Sequence, residues 1–177
     1  MTTPTERGTF RQNEDGRPTV LFERIYDLPI DRVWALVSDP AELAHWFPFP
    51  EVTLDLVMGG AATFSGDRNA PGAVVAGRVT ALDPPRLLAY DWGGDELRFE
   101  LTRLDGARTR LSFTDFLEAE DAAARNAAGW DLCLAALGAR AAGAPAPPRG
   151  GEGAWQEHYD AYVAEGLPSG AVVPDRG

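Results

Sequence analysis

The sequence contains no lysine, one cysteine and two histidines, and each shortage excludes a class of chemistry. All 16 basic residues are arginine, so a Schiff base on lysine and a phosphate-binding loop built on lysine are both excluded. Cys133 has no second cysteine with which to form a disulfide, and we interpret it as a small apolar side chain near the core. Together with His45 and His158 it supplies too few ligands for a closed zinc site, so we expect neither a metal nor a cofactor.

Positive charge is also scarce. The 177 residues carry a formal net charge of −11, so the surface has few cations with which to neutralise phosphate, and neither nucleic acid nor an anionic membrane is an expected partner. The N-terminal stretch MTTPTERGTFRQNEDG has neither the pattern of a secretory signal nor a run long enough to cross a membrane. A cytoplasmic location is therefore predicted.

What the sequence does contain is one long alanine-rich segment, Glu118 to Ala142. Its larger and smaller apolar residues recur at the spacing of a single helical stripe, namely Ala123, Ala127, Trp130, Leu134, Leu137 and Ala141. Acidic residues near its start and Arg140 near its end match the helix dipole, and Gly143 followed by Pro145 ends it. Such a helix needs an apolar surface to cover.

Strands supply that surface. A short arm near Thr9 and a strand over 19–27 come first, and Pro29 and Asp39 then each open a short helix. Further strands are predicted over 51–57, 61–65, 72–82, 86–92, 96–104 and 108–116, with glycine, proline or aspartate at each junction. This order predicts an α+β helix-grip fold, in which a curved antiparallel sheet of about six to seven strands wraps around the long C-terminal helix.

Several motifs carry a resemblance to a known family. They are Arg24, LPIDRVW at 28–34, Trp46, Gly59-Gly60, GRVTALDPPRLLAYDW at 77–92, and Ala128-Gly129-Trp130 with Leu134 and Leu137. On these motifs the chain resembles the START-like, or SRPBCC, superfamily, and within it the branch of activator of heat-shock protein ATPase homologues. The chain is accordingly divided into a polar segment with a short hairpin strand (1–18), the START-like domain (19–142), a Pro/Gly linker (143–153), and a short amphipathic helix with a tail (154–177).

The resemblance implies a deep cavity between the sheet and the long helix, which members of the superfamily use for hydrophobic ligands, lipids, polyketide chemistry or chaperone binding. The positions that match cavity-facing ones are Phe64, Val79, Tyr90, Trp92, Phe99, Phe113, Trp130 and Leu134, with Trp46 and Phe49 near the entrance. Ligand sites are typically aromatic-lined with few polar groups. Aromatic residues at inward strand positions are also ordinary core, and both interpretations remain open.

Three polar residues are candidates for contact with a ligand. Asp115 shares the parity of the inward-facing Phe113, so it should be hydrogen-bonded or have a raised pKa. His45 is placed either at the cavity mouth or at a solvated helix end, and Arg24 either in a structural ion pair or on a ligand carboxylate. His158 is expected on an exposed face.

Three hypotheses follow. The first is a cytosolic protein that binds a small hydrophobic or aromatic molecule without chemistry, since the sequence has no Ser-His-Asp arrangement, phosphate loop or dinucleotide motif and no catalytic residue is assigned. The second is an enzyme of the cyclase or aromatase type that uses Asp115 or His45 as its acid or base. The third is a co-chaperone-like interaction module, suggested by the resemblance. Whether the tail helix covers the cavity mouth or a homodimer surface is left open.

Overall fold

The computed structural model describes residues 7–68, 70–147 and 153–173, and these form one antiparallel sheet, four α-helices and a short 3₁₀ helix (Glu120–Ala122). The strands are β1 (Thr9–Gln12), β2 (Pro18–Tyr26), β3 (Glu51–Leu54), β4 (Ala61–Ser65), β5 (Val75–Asp83), β6 (Leu87–Trp92), β7 (Asp95–Arg103) and β8 (Thr109–Phe116). The helices are α1 (Ile30–Ser38), α2 (Pro40–Leu43), α3 (Ala123–Ala141) and α4 (Gly153–Ala164).

The α+β helix-grip architecture is confirmed. The strands lie in the order β1-β2-β8-β7-β6-β5-β4-β3, and α3 packs on the face that carries the inward residues of the sheet. The sheet has eight strands, because the short N-terminal arm pairs with β2 and forms one edge, with Thr9 opposite Leu21. The helical stripe predicted for α3 is buried from Ala123 to Leu137.

The hairpin between β6 and β7 fixes the position of an acidic residue. Its two turn residues, Gly93 and Gly94, have φ angles of 61° and 97°, which only glycine adopts readily in a two-residue turn. The turn therefore places Asp95 directly opposite Trp92. Asp95 thus stands at the end of the sheet where the segment leading into α3 arrives.

The short helix α2 starts as the sequence indicated. Asp39 is its N-cap, and its carboxylate accepts a hydrogen bond from the backbone N–H of Ala41 at 2.9 Å. Glu42, at the position of a capping-box glutamate, instead accepts from Arg140 Nε at 2.8 Å and from Arg32 at 3.0 Å. The hydrogen bond from Arg140 lowers the pKa of Glu42 and ties α2 to the C-terminal end of α3.

The tail helix α4 packs against α3 through a polar network. Tyr162 donates its hydroxyl hydrogen to Asp131 Oδ2 at 2.6 Å and accepts one from the backbone N–H of Gly8 at 2.7 Å. His158, expected on an exposed face, lies with its Nδ1 3.2 Å from the same Asp131 oxygen.

Within the described part of the chain, no helix is long and apolar enough to cross a bilayer. Parts of three predicted segments lie outside the described residues: 1–6 of the N-terminal segment, 148–152 of the linker and 174–177 of the tail.

Candidate functional site

The space between the sheet and α3 is occupied by nine aromatic side chains, which we call the aromatic layer. Its members are Trp46, Phe47, Phe49, Phe64, Tyr90, Trp92, Phe99, Phe113 and Trp130. Eight of them were predicted to line the cavity. The two aliphatic residues of that prediction, Val79 and Leu134, are buried in the same core. The structure thus brings the whole predicted set together, whereas their contact with a ligand stays a prediction.

The rings of the layer touch one another in a continuous chain. Trp130 of α3 lies with its ring centroid 4.8 Å from that of Phe113 and 5.2 Å from that of Trp92. Phe113 in turn lies 4.9 Å from Phe99 in the neighbouring strand. These separations are those of favourable edge-to-face and offset aromatic pairs, so the layer forms one packed unit.

Strand register explains why these residues meet. Tyr90 lies opposite Leu97, and Leu97 lies opposite Asp115, so the three form one row across β6, β7 and β8. Phe99 and Phe113 form the next row, two residues further along. Because side chains alternate along each strand, every member of these rows points to the face that α3 covers.

Phe47 is the member of the layer that sequence reasoning missed. It is fully buried, and its ring centroid lies 5.2 Å from Phe64 and 5.7 Å from both Trp92 and Trp130. It belongs to the loop between α2 and β3, not to a strand or helix. Its neighbour Trp46 anchors that loop, because the Trp46 indole donates to the carbonyl oxygen of Leu36 at 2.8 Å.

Asp115 is the acidic residue of the layer. It is fully buried, and its Oδ2 accepts hydrogen bonds from Trp130 Nε1 at 2.9 Å and from Asn126 Nδ2 at 3.1 Å. Its Oδ1 accepts no hydrogen bond from an N–H or hydroxyl group of the described residues, and the Asp115 carboxyl group is hydrogen-bonded to that of Asp95. Burial, and then the neighbouring charge of Asp95, raise the pKa of Asp115 to about 7.

Asp95 makes Asp115 one half of a carboxyl pair. Its Oδ2 accepts from the same Asn126 amide at 2.9 Å, and its Oδ1 accepts from the backbone N–H of Glu118 at 2.8 Å. Burial raises the pKa of Asp95, while these hydrogen bonds oppose the increase. Two carboxyl groups this close cannot both ionise easily, so the pair retains a proton near neutral pH, held mainly by Asp115.

Two further polar atoms of the layer lack protein partners. The hydroxyl of Tyr90 and the indole Nε1 of Trp92 are buried, and neither is hydrogen-bonded to any group in the described ranges. Burial raises the pKa of Tyr90, so its hydroxyl stays protonated. Both side chains come from β6 and face α3.

The other two polar candidates lie away from the layer. His45 is exposed and lines a surface pocket of about 230 Å³ together with Ala136 and Arg140. Arg24 Nη2 lies 3.8 Å from Asp131 Oδ1, so the structure gives Arg24 the ion pair that was one of its two interpretations. A second surface pocket, of about 410 Å³, lies between the N-terminal strand and the end of α4. Among the described residues no group of His, Cys, Asp and Glu is arranged to hold a metal ion.

Signals for the missed polar residues were present in the sequence. Asp95 directly follows a two-glycine turn, and a two-residue hairpin would have placed it opposite Trp92. Asn126 precedes Trp130 by one helical turn and therefore shares its face of α3. Both residues could have been assigned to the site once Asp115 was placed inward.

The model of one protein family matches most of the chain. The family is described as Activator of Hsp90 ATPase homolog 1-like protein, and the match covers residues 27–142. A search of curated proteins finds no match.

Solved structures with the same fold are similar over most of the chain. CalU16 from Micromonospora echinospora has 25% sequence identity and a TM-score of 0.69, covering 92% of this chain and 98% of that one. A protein encoded by gene BPP1335 of Bordetella parapertussis has 27% identity and a TM-score of 0.68, covering 94% and 96%. An AHSA1-like protein from Aeromonas hydrophila has 25% identity and a TM-score of 0.60, covering 71% and 94%.

Proposed function

This chain belongs to the family of Activator of Hsp90 ATPase homolog 1-like proteins, and we propose that it binds a small hydrophobic or aromatic molecule between its sheet and α3. One observation carries the proposal. Within the aromatic layer, two buried donors lack a hydrogen-bond partner among the described residues: the Tyr90 hydroxyl and the Trp92 indole N–H.

Unpaired polar atoms are unfavourable inside an apolar layer. Each buried donor or acceptor without a partner destabilises a fold by about 1–3 kcal/mol, and native cores contain few of them. Binding sites for small molecules have this combination of an aromatic lining and a few polar groups. A bound molecule that supplies partners to these groups would recover the lost hydrogen bonds, which is the driving force of the proposal.

Phe47 marks the place where the ligand enters. Six rings of the layer belong to strands or to α3. Phe47, like Trp46 and Phe49, belongs instead to the loop between α2 and β3. Its ring contacts both Trp92 and Trp130, so moving it outward frees space beside the unpaired Trp92 indole. The ligand therefore takes the place of the Phe47 ring in this proposal.

Two measurements test the binding. Protein purified without detergent is compared by native and denaturing mass spectrometry, and it is then titrated with naphthalene, indole and 1-naphthol while the indole N–H signals of its five tryptophans are followed by NMR. The signals of Trp46, Trp92 and Trp130 should shift, because these residues belong to the layer. Those of Trp34 in α1 and Trp155 in α4 are internal controls and should stay in place.

Either of two results would remove the proposal. One is the absence of any non-covalent mass in the native spectrum together with no binding of the three probes. The other is binding that shifts the signals of Trp34 or Trp155 and leaves those of the layer unchanged, because the ligand would then lie elsewhere.

A second candidate function is proton transfer to or from the bound molecule, and Asp115 is the observation that favours it. A carboxyl group with a pKa of about 7 can act as an acid or a base near neutral pH, which is the usual property of a general acid–base group. Deuterium exchange at the α-carbon of 1-tetralone tests this. The C–H bond breaks, the proton passes to the Asp115 carboxylate while the carbonyl oxygen takes the electron pair, and solvent deuterium returns to carbon. Exchange that is no faster in wild type than in Asp115→Asn would exclude this role.

The remaining expectations stay predictions. Interaction with a chaperone is suggested by the family description, and a change in the ATPase rate of a purified Hsp90 on addition of this protein would support it. A cytoplasmic location is likewise a prediction from the sequence.

A further inference from the structure

We propose that the molecule bound in the aromatic layer carries a neutral hydrogen-bond acceptor, a carbonyl oxygen attached to an aromatic ring, which is bound by Trp92 Nε1 and the Tyr90 hydroxyl. This inference rests on the proposed function and names its ligand class. The geometry behind it is that both unpaired donors belong to the aromatic layer and come from residues two apart on β6, on the same face of the sheet.

The chemistry of the two side chains sets the polarity of the ligand. An indole N–H can only donate, so the group that satisfies Trp92 has to be an acceptor. A tyrosine hydroxyl can donate as well, and because burial raises the pKa of Tyr90, the proton remains available. A hydrocarbon would satisfy neither group.

The position of these donors favours a planar ligand. Tyr90 and Trp92 are two residues apart on β6, so their side chains leave the same face of the sheet about 7 Å apart. The Tyr90 ring lies 5.3 Å from Phe64, and the Trp92 ring lies 5.9 Å from Phe49 and 5.2 Å from Trp130. An aromatic ring system that takes the place of the Phe47 ring would therefore stack against Trp92 and Trp130 while its oxygen faces β6.

The charges around the layer favour a neutral oxygen over a carboxylate. The acidic pair, Asp95 and Asp115, borders the same surface and would repel an anion. The guanidinium of Arg24, the cation that sequence analysis offered for a ligand carboxylate, instead lies beside Asp131. A ketone oxygen can accept hydrogen bonds here without bringing a charge into an apolar layer.

A matched pair of probes tests the ligand class. 1-Tetralone and tetralin have the same bicyclic skeleton and differ in that a carbonyl group replaces a methylene. Tetralin is the more hydrophobic of the two, so burial alone would make it the tighter ligand. A preference for the ketone therefore requires a polar interaction with the carbonyl group, and its loss in Tyr90→Phe assigns that interaction to the hydroxyl.

The variants Tyr90→Phe and Tyr26→Phe form the protein side of the test. Both remove the hydroxyl of a buried tyrosine that has no hydrogen-bond partner in the described residues. Tyr26 pairs with Thr109 of β8, whereas the row of Tyr90 crosses β8 at Asp115. Thr109 and Asp115 are six residues apart, which is about 20 Å along the strand. Tyr26→Phe therefore controls for the loss of a buried hydroxyl in general.

We expect 1-tetralone to bind wild type at least about tenfold more tightly than tetralin, because sites with buried polar groups reject analogues that leave those groups unpaired. Tyr90→Phe should weaken binding of the ketone about fivefold to tenfold and leave that of tetralin unchanged, as expected for loss of one hydrogen bond. The Trp92 indole N–H signal should move downfield with the ketone only. Tyr26→Phe should behave as wild type.

Two outcomes separate this inference from the proposed function. If tetralin binds as tightly as the ketone, or if Tyr90→Phe leaves their ratio unchanged, the ligand class is wrong while binding in the layer stands. If neither compound binds and the wider set of probes also fails, both proposals are overturned.

Discussion

Asp95 and Asp115 are joined through one amide group: Asn126 Nδ2 lies 2.9 Å from Asp95 Oδ2 and 3.1 Å from Asp115 Oδ2. The residues come from the start of β7, the end of β8 and the first half of α3. The amide can donate one hydrogen to each carboxyl group, which holds the two acids together despite the repulsion between their charges. The packing of α3 on the sheet therefore depends on the protonation state of the carboxyl pair.

This coupling predicts how stability depends on pH. The pKa of Asp115 is raised from 3.8 to about 7 in the folded protein, so the folded state binds a proton that the unfolded state releases. Because the pKa of the carboxyl group is higher in the folded than in the unfolded protein, stability is highest below the pKa of the unfolded state and falls as pH rises from about 4 to 7. Asp115→Asn removes this pH-dependent contribution. The free energy of unfolding of the variant should therefore rise relative to that of wild type as pH increases from 4 to 8. Urea unfolding across this range measures the difference.

Asp105→Asn is the control for the sign of this effect. Asp105 is exposed in a turn, and hydrogen bonds from the backbone N–H of Ala107 and from Arg108 lower its pKa. Its contribution is fully present above the ordinary carboxyl pKa and is lost only as pH falls below about 4, so the stability difference between Asp105→Asn and wild type should stay constant from pH 4 to 8 and shrink below that range. A stability difference between Asp115→Asn and wild type that stays constant from pH 4 to 8 would contradict the assignment of the proton.

The fold was predictable because its signals are local. The period of α3, the turn residues between strands and the alternation around Phe99 each depend on neighbours in the chain, and all three are confirmed. The inward position of Asp115 followed from the same alternation. The partners of Asp115 were not identified, because pairing Asp95 with Asn126 requires the strand register and the rotation of α3 together.

Phe47 shows a second limit of the sequence. It lies in an irregular loop, where no period indicates which of several aromatic residues points inward. Trp46, Phe47 and Phe49 are all buried there, although prolines separate and follow them. Long-range packing decides their positions, and a loop sequence carries little information about it.

Gly77 allows β5 to approach β6 beside Trp92. A Cβ at this position would overlap the carbonyl oxygen of Asp91 and lie 2.8 Å from its carbonyl carbon. Because the obstacle is backbone, Gly77→Ala should separate the strands and lower the free energy of unfolding by about 1–3 kcal/mol, as overpacking does. Gly106→Ala, where a Cβ would meet nothing within 4 Å, is the matched control. Equal stability of the two variants in urea would contradict this account.

Tyr162 fixes the tail helix to α3. Its hydroxyl bonds both Asp131 and the backbone of Gly8, so Tyr162→Phe leaves a buried carboxylate short of a donor and an N–H without its acceptor. We expect a loss of about 1–3 kcal/mol and faster amide hydrogen exchange in α4 than in α3. Tyr159→Phe is the control, since the ring of Tyr159 stacks on Trp155 at 4.9 Å and that contact survives the change. Unchanged exchange in α4 of Tyr162→Phe would show that the apolar contacts alone hold the helix.

Phe47→Ala tests whether the centre of the aromatic layer can accept a ligand. Removing a fully buried phenyl ring should destabilise the protein by about 3–5 kcal/mol, through lost burial and the cavity left between Phe64, Trp92 and Trp130.

A dry aromatic cavity binds small aromatic molecules, so benzene should raise the melting temperature of Phe47→Ala, with a rise that grows with the logarithm of its concentration above the dissociation constant, and should raise that of wild type far less. Phe47→Leu keeps most of the volume and should lie between the two in both stability and response to benzene. If benzene stabilises wild type and Phe47→Ala equally, the ring of Phe47 does not occupy the binding space. If Phe47→Ala loses less than about 1 kcal/mol, the layer collapses around the gap, and the place of the ligand has to be sought away from Phe47.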